Sequence, residues 1–289
     1  MKTSLYKYFC LLLMTVCCLQ AHADESENTG LIHTLRVGVS GGSGLNLTPT
    51  DCVMKSKFGA SGALAFDYTF YKSFDKVDLG LRTGLDLGYM YLPYHAEFEQ
   101  HYSNVDYLNN QIDYTTSGLL DITQNQLYAS VPVMFALRTH GFVCNIGVRL
   151  QMPFYQTGKQ QLSEPLIQAY YPEYDVTVTN ELITGIVTDE QLSMPLASSP
   201  VFLECYASAE IGYEHRLNAK GAIGCAAYVH AGVWNSLPKA TNTPIIQVAP
   251  IMDSETPVPT VTVNDAYTSL LTSYTPLQFG VKVYYAFSL

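Results

Sequence analysis

Charge is scarce in this chain. Asp, Glu, Lys and Arg make up 14% of its 289 residues, where an average protein carries about 25%. After the first two dozen residues no apolar run approaches the 18 or so residues of a membrane-spanning helix, although 48% of the chain is hydrophobic. The seven cysteines show neither C-x-x-C nor any other zinc spacing. There is no phosphate-binding loop and no basic patch, and a net charge of -10 argues against a nucleic-acid partner. No nucleophile, base and orienting group stand at a recognisable spacing. The chain therefore reads as a protein without enzymatic activity, resident metal or cofactor.

What is present begins with an export signal. Lys2 and Lys7 precede an apolar core over residues 9–19, and Ala21-His22-Ala23 is a small-x-small cleavage site. Cleavage is expected between Ala23 and Asp24. Cys17 and Cys18 lack small residues just ahead of them, since Met14, Thr15 and Val16 stand there, which disfavours lipidation. The expected organisation is a leader over 1–23, a flexible acidic start over 24–30 and a single domain over 31–289.

That domain is dominated by period-two alternation, the mark of strands with one apolar face. The last stretch is clearest. Leu277, Phe279, Val281, Val283, Tyr285, Phe287 and Leu289 are all apolar or aromatic. Gln278, Gly280, Lys282, Tyr284, Ala286 and Ser288 lie between them. Similar alternation predicts strands over 31–41, 59–71, 77–91, 127–138, 142–154, 201–215 and 222–234. Pro132 in the fourth should cause a bulge or local irregularity. The links run long, short, long, short, long, short, long. Short turns at one end and long loops at the other predict an all-β, eight-stranded, antiparallel, up-and-down transmembrane β-barrel with three long extracellular loops. Outward aromatics at both strand ends, with Phe66, Tyr68, Phe70, Phe135, Phe142, Tyr213, Tyr285 and Phe287 on the turn side and Tyr89, Tyr91 and Phe154 on the loop side, match two interfacial girdles. Cys144, Cys205 and Cys225 read as small apolar residues. Cys205 is expected opposite residue 232 rather than Cys225, so a disulfide is not expected.

The inward positions carry both signs of charge. Arg36, Arg82, Arg138, Arg149, Arg216 and Lys282 face Asp67, Asp78, Asp86, Glu204, Glu210 and Glu214. An arginine on the lipid face at mid-membrane costs about 2–4 kcal/mol, so such segregation is what lipid contact demands. An eight-stranded barrel is only wide enough to be filled by side chains. Six positives against six negatives predict an ion-pair network closing the lumen; the alternative is solvated charge on a soluble barrel.

Several segments resemble the small outer-membrane β-barrel domain proteins of Bacteroides-type bacteria, PorT-like and broadly OmpA-like. They are LYASVPVMFALR (127–138), FVCNIGVRLQMPF (142–154), AEIGYEHRL (209–217) and the terminal GVKVYYAFSL. The resemblance implies residence in the bacterial outer membrane, in contact with lipid and lipopolysaccharide. It also implies that Phe279, Val281, Val283, Tyr285, Phe287 and Leu289 form the signal read by the barrel-assembly machinery. The chain ends on Leu289, where the family usually places an aromatic.

For function, the reading is a non-enzymatic structural or surface-recognition barrel. A narrow channel for small solutes is the first alternative and a soluble lipocalin-like ligand-binding barrel the second. The connections 93–125, 157–199 and 236–275 carry fourteen acidic residues and two lysines. They also carry Tyr94, Tyr102, Tyr107, Tyr114, Tyr170, Tyr171, Tyr174, Tyr267 and Tyr274, which are expected to contact a glycan or protein outside the cell. His101-Tyr102-Ser103 resembles the His-x-Ser of outer-membrane lipid deacylases, but its expected place in a loop discounts it.

Overall fold

The computed structural model describes residues 30–46, 53–74, 76–105, 109–179, 193–195, 203–218, 220–233, 243–248, 261–264 and 276–289. The leader and its cleavage site, Cys52, Tyr107, Trp234, Tyr267 and Tyr274 lie outside them. The described residues form thirteen strands: β1 Leu31–Asn46, β2 Val53–Ser56, β3 Ala60–Phe74, β4 Val77–Val105, β5 Gln111–Thr139, β6 Phe142–Tyr171, β7 Val176–Thr179, β8 Ser193–Pro195, β9 Glu204–Arg216, β10 Gly221–Gly232, β11 Ile246–Val248, β12 Val261–Val263 and β13 Pro276–Ser288. No helix occurs among the described residues.

Eight of these strands close into a ring. The hydrogen-bonded order is β4-β3-β1-β13-β10-β9-β6-β5, and β5 pairs back onto β4. Every ring pairing is antiparallel. The chain's first and last strands meet along Thr34 to Asn46. Closure leaves the turn-side half of the sheet without an edge, so its backbone groups are paired within the chain. The turns are tight: Thr139 pairs with Phe142 across His140 and Gly141, both at positive φ (48° and 87°), the pattern of a type I′ hairpin.

Within the ring the alternation separates chemistry by face. On β13, Phe279, Val281, Val283 and Phe287 are exposed outside, while Gln278, Lys282, Tyr284 and Ala286 are buried inside. Leu64, Phe66, Phe135, Ile146, Ile211 and Ile223 continue the exposed apolar exterior. Tyr68 departs from it, being buried because it stacks on His33 and shares a 2.6 Å hydrogen bond with His33 Nδ1. Interior glycines make room for rings. A Cβ on Gly88 would lie 2.4 Å from the Tyr128 ring, and one on Gly224 would lie 2.3 Å from Tyr284.

Three ring strands run far beyond the rest. β4, β5 and β6 span 29, 29 and 30 residues, against 12 and 13 for β10 and β9. The described residues of the connections 93–125 and 157–199 are therefore largely strand, a correction to the loops expected there. β2 joins the β4 edge of this raised sheet, and β7 and β8 join β6. Within the second connection Val176–Thr179 form β7, and residues 180–192 lie outside the described set. From the third connection, β11 and β12 form a separate two-stranded sheet.

Pro132 brings the local irregularity expected there, in a form other than a bulge. The β4–β5 ladder skips Gly84 opposite Pro132 and Leu85 opposite Val131, then resumes in register, as a residue without an N–H requires. The bulges lie elsewhere, where β5 meets β6 at Leu127/Tyr128 and Ser117/Leu119. Cys205 stands opposite residue 233 through the Val233 N–H bond to its carbonyl, one residue from the expected place. Cys144, Cys205 and Cys225 are free thiols.

Candidate functional site: a charged ring interior beneath a raised sheet

The interior of the ring is stacked in tiers. At the turn end Arg138 bonds Asp78 at 2.9 Å and lies 3.8 Å from Glu214. They line a recess of about 330 Å³ together with Lys76, Thr139 and His140. Above them Arg36 is fully enclosed. It pairs with Glu214 at 2.6 Å, donates to the Tyr71 hydroxyl and lies against the Tyr284 ring. The central tier joins Arg82 to Asp67 at 2.8 Å and to Glu210; Lys282 reaches the same Asp67 oxygen at 2.6 Å and Asn145 donates to Glu210. Next comes Arg149, 3.1 Å from Asp86 and 3.0 Å from His230 Nε2. A guanidinium has only donors, so that imidazole nitrogen accepts. Nδ1 carries the hydrogen and donates to the Ser208 hydroxyl at 3.0 Å. His230 therefore adds no charge.

Ten of the twelve charged residues singled out in the sequence meet in these contacts, and two do not. Arg216 is exposed at the end of β9, on the rim of the turn-end recess. Glu204 is buried, but its partners are neutral: the Tyr206 hydroxyl at 2.5 Å, Gln151 Nε2 at 2.9 Å and Gln126 Nε2 at 3.3 Å. The spacing of charges along each strand showed which side chains point inward. It could not show who meets whom, because partners are chosen by the stagger between strands.

Above this polar tier the chemistry inverts. Along β4 the inward residues up to 88 are Asp, Gly and Arg; from Met90 they are Met90, Leu92, Tyr94, Ala96 and Phe98, all buried. The outward residues change in the opposite sense, from Leu79, Leu81, Leu85, Leu87, Tyr89 and Tyr91 to His95, Glu97, Glu99, His101 and Ser103. The pairing puts the change at one level across three strands. Tyr91 stands opposite Asn125 on β5, and Leu127, above which only Leu119 is apolar among the outward residues there, stands opposite Tyr155 on β6. Below that level the sheet is apolar outside and polar inside; above it the balance reverses, with Val105, Leu119 and Leu166 as apolar exceptions outside and Thr116, Gln124 and Gln160 as polar ones inside.

The inward face of the raised sheet is a hydrophobic core of Leu92, Tyr94, Phe98, Ile112, Tyr114, Leu120, Ile122, Leu162 and Ile167. It is capped by Ile245, Ile246, Val248, Val261 and Val263 of the β11–β12 pair. Polar groups fix the cap: the Val248 N–H donates to the Tyr102 hydroxyl at 2.8 Å, the Ile245 N–H to Gln100 at 2.7 Å, and Gln160 to the Asn264 carbonyl at 2.9 Å. Burial at this cap pushes the Tyr102 phenol up from its ordinary range. Tyr94 and Tyr114 are thus core residues and not contact residues, whereas Tyr170 and Tyr174 are exposed.

The outward face of the raised sheet is polar and acidic. Asp121 takes a 2.9 Å contact from His95 and a 3.2 Å contact from Lys57, and the His95 hydrogen bond, followed by that of Lys57, holds its carboxyl below the usual carboxylate range. Ser103 donates to Asp113 at 2.6 Å, while His101 bonds Thr115 and Glu99. His101 and Ser103 therefore lie on a strand and are bound to different partners. The serine is matched with a carboxylate rather than an imidazole.

No family model matches this chain, and no curated protein does. A likeness is found to the crystal structure of the outer membrane protease OmpT from Escherichia coli, at 8% identity and a TM-score of 0.31, covering 90% of this chain and 96% of that one. The expectation of a protein without enzymatic activity is corrected on that finding, the similar structure being that of a protease. At that identity and score the likeness assigns this chain no substrate and no catalytic residue.

Proposed function

We propose that this is an outer-membrane β-barrel whose ring is a closed anchor and whose raised sheet is a recognition platform outside the cell. The observation that carries the reading is the inversion of chemistry at one level of β4, β5 and β6. An apolar exterior around a charged interior suits lipid; a polar exterior around an apolar core suits water. A membrane strand needs about 9–11 residues, so strands of 29 or 30 residues leave more than half their length above the bilayer. The expected family, PorT-like and OmpA-like, fits this reading, as do export through a leader cut after Ala23 and delivery by the barrel-assembly machinery through the β13 signal.

The interior tiers fill the ring with paired side chains, which favours an anchor over a channel. The polar ring interior is also the reverse of a lipocalin's apolar cavity. Recognition falls to the outward face carrying His95, Glu99, His101, Asp113, Asp121 and Tyr170, whose acidity suits a neutral or cationic glycan or protein. Lysine topology tests the anchor. A membrane-impermeant amine reagent applied to intact cells should label Lys57 and Lys159, at the level of the raised sheet, and reach Lys76 and Lys220, at the turn end, only after the outer membrane is opened. Equal labelling of both sets on intact cells would remove the reading.

A further inference from the structure

The charges buried inside the ring do not balance. Among the described residues the fully buried set holds four cations, Arg36, Arg82, Arg149 and Lys282, and five carboxylates, Asp67, Asp86, Glu204, Glu210 and Glu214. The partly exposed Arg138 and Asp78 pair with each other and leave the difference unchanged. Every buried carboxylate but one has a guanidinium or ammonium within 3.1 Å. The exception is Glu204, which has no cationic partner among the described residues. An isolated buried carboxylate is far too costly to stand uncompensated.

Its surroundings are rich in oxygen. Asp86, Ser130, Gln151 and Glu204 are direct cross-strand partners in one row over β4, β5, β6 and β9, so neighbouring Cβ atoms are about 4.5–5.5 Å apart. Four buried oxygens of this region, Asp86 Oδ1, Ser130 Oγ, Gln126 Oε1 and Gln151 Oε1, have no hydrogen-bond partner among the described residues. Both Glu204 oxygens already accept from N–H or O–H donors, an arrangement made for the ionised carboxylate.

We infer that the Glu204 tier binds one alkali cation, held by its carboxylate and by the oxygens of Gln126, Gln151, Ser130 and Asp86. Carboxylate, amide and hydroxyl oxygens suit a hard cation. The deficit is a single charge, so a monovalent ion restores neutrality where a divalent one would overshoot. The ion completes the packing of the tier that separates the charged interior from the apolar core above it. The inference stands on the ring interior alone and does not depend on the membrane reading.

The test uses the full-length folded protein, with its thermal unfolding followed by near-ultraviolet circular dichroism in sodium, potassium or choline chloride at equal ionic strength. Binding to the folded state alone raises stability with ion concentration. The wild type should unfold several degrees higher in sodium or potassium than in choline. Glu204→Gln, which removes the unpaired charge, should abolish that difference and be at least as stable as the wild type in choline. A wild-type midpoint identical in all three salts overturns the inference whether or not the variant folds, because it means a proton or water serves the site. A cation response that persists in Glu204→Gln overturns it too, by placing the ion elsewhere.

Discussion

At the scale of single residues the interior arginines are not equivalent. Arg82 lies between Asp67 and Glu210 and is 2% exposed, whereas Arg138 and Asp78 face the turn-end recess with side chains 20% and 19% exposed. Removing one partner of a buried pair leaves a stranded charge and costs about 3–5 kcal/mol. A solvent-screened pair is worth roughly 0–1 kcal/mol. Arg82→Ala should therefore depress the heat-modifiable transition strongly, and Arg138→Ala only slightly; equal losses would show that the central tier is not the structural one. Asp121 offers a pH test above the ring. Its carboxyl is lowered by His95 first and Lys57 second. A carboxyl lowered on folding stabilises the folded form above the unfolded carboxylate range, and that contribution is lost as pH falls through its folded value. With the side chain 44% exposed the contribution is screened to at most about 1 kcal/mol. Asp121→Asn should lower the neutral-pH stability of the raised sheet by up to about 1 kcal/mol and correspondingly flatten its decline below about pH 4, read by amide exchange.

At the scale of elements the ring strands were legible and the raised sheet was not, for one physical reason. Alternation read as apolar-outward ends at Tyr91 on β4 and begins at Leu127 on β5. The period-two pattern does not end there; its sense reverses, and Leu92, Tyr94, Ala96 and Phe98 carry it on the opposite face. On β6 two inserted residues hide it further. The bulge at Phe154 moves the inward set from odd to even residues, and the irregularity around Glu164, at φ 52°, moves it back, so that Gln160 and Leu162 but then Ile167 and Ala169 are buried. One extra residue turns every later side chain to the other face. The stagger that brings Lys282 to Asp67 and leaves Glu204 without a cation also has no linear signature. Two substitutions separate the two halves of these elements. Val281→Arg places a charge on the exposed exterior of β13 and should cost about 2–4 kcal/mol if that face meets lipid, read as loss of the heat-modifiable form. Ile246→Asp, in the fully buried cap, should leave that form intact while making residues 92–124 sensitive to limited proteolysis. Loss of the folded ring in Ile246→Asp would show that the raised sheet and the ring are one cooperative unit.

At the scale of the whole molecule, two solvation regimes share one continuous sheet. Below the level of Tyr91, Leu127 and Tyr155 an apolar exterior surrounds buried charges; above it a largely polar exterior surrounds an apolar core. The order of the ring, with β1 closed against β13, lets β4, β5 and β6 rise on one side as a wall without exposing an unpaired edge lower down. The central claim is that this level is the membrane surface. It is tested most directly by spin labels placed singly at Leu81, Leu85, Tyr89, His95, Glu97 and Glu99, all outward on β4. The background would have Cys52, Cys144, Cys205 and Cys225 replaced by alanine, in liposomes. Labels at 81, 85 and 89 should be relaxed by oxygen and shielded from a water-soluble nickel complex, and those at 95, 97 and 99 should show the opposite, with the crossover between residues 89 and 95. Nickel access to residues 81 and 85 equal to that at 97 and 99 would contradict it.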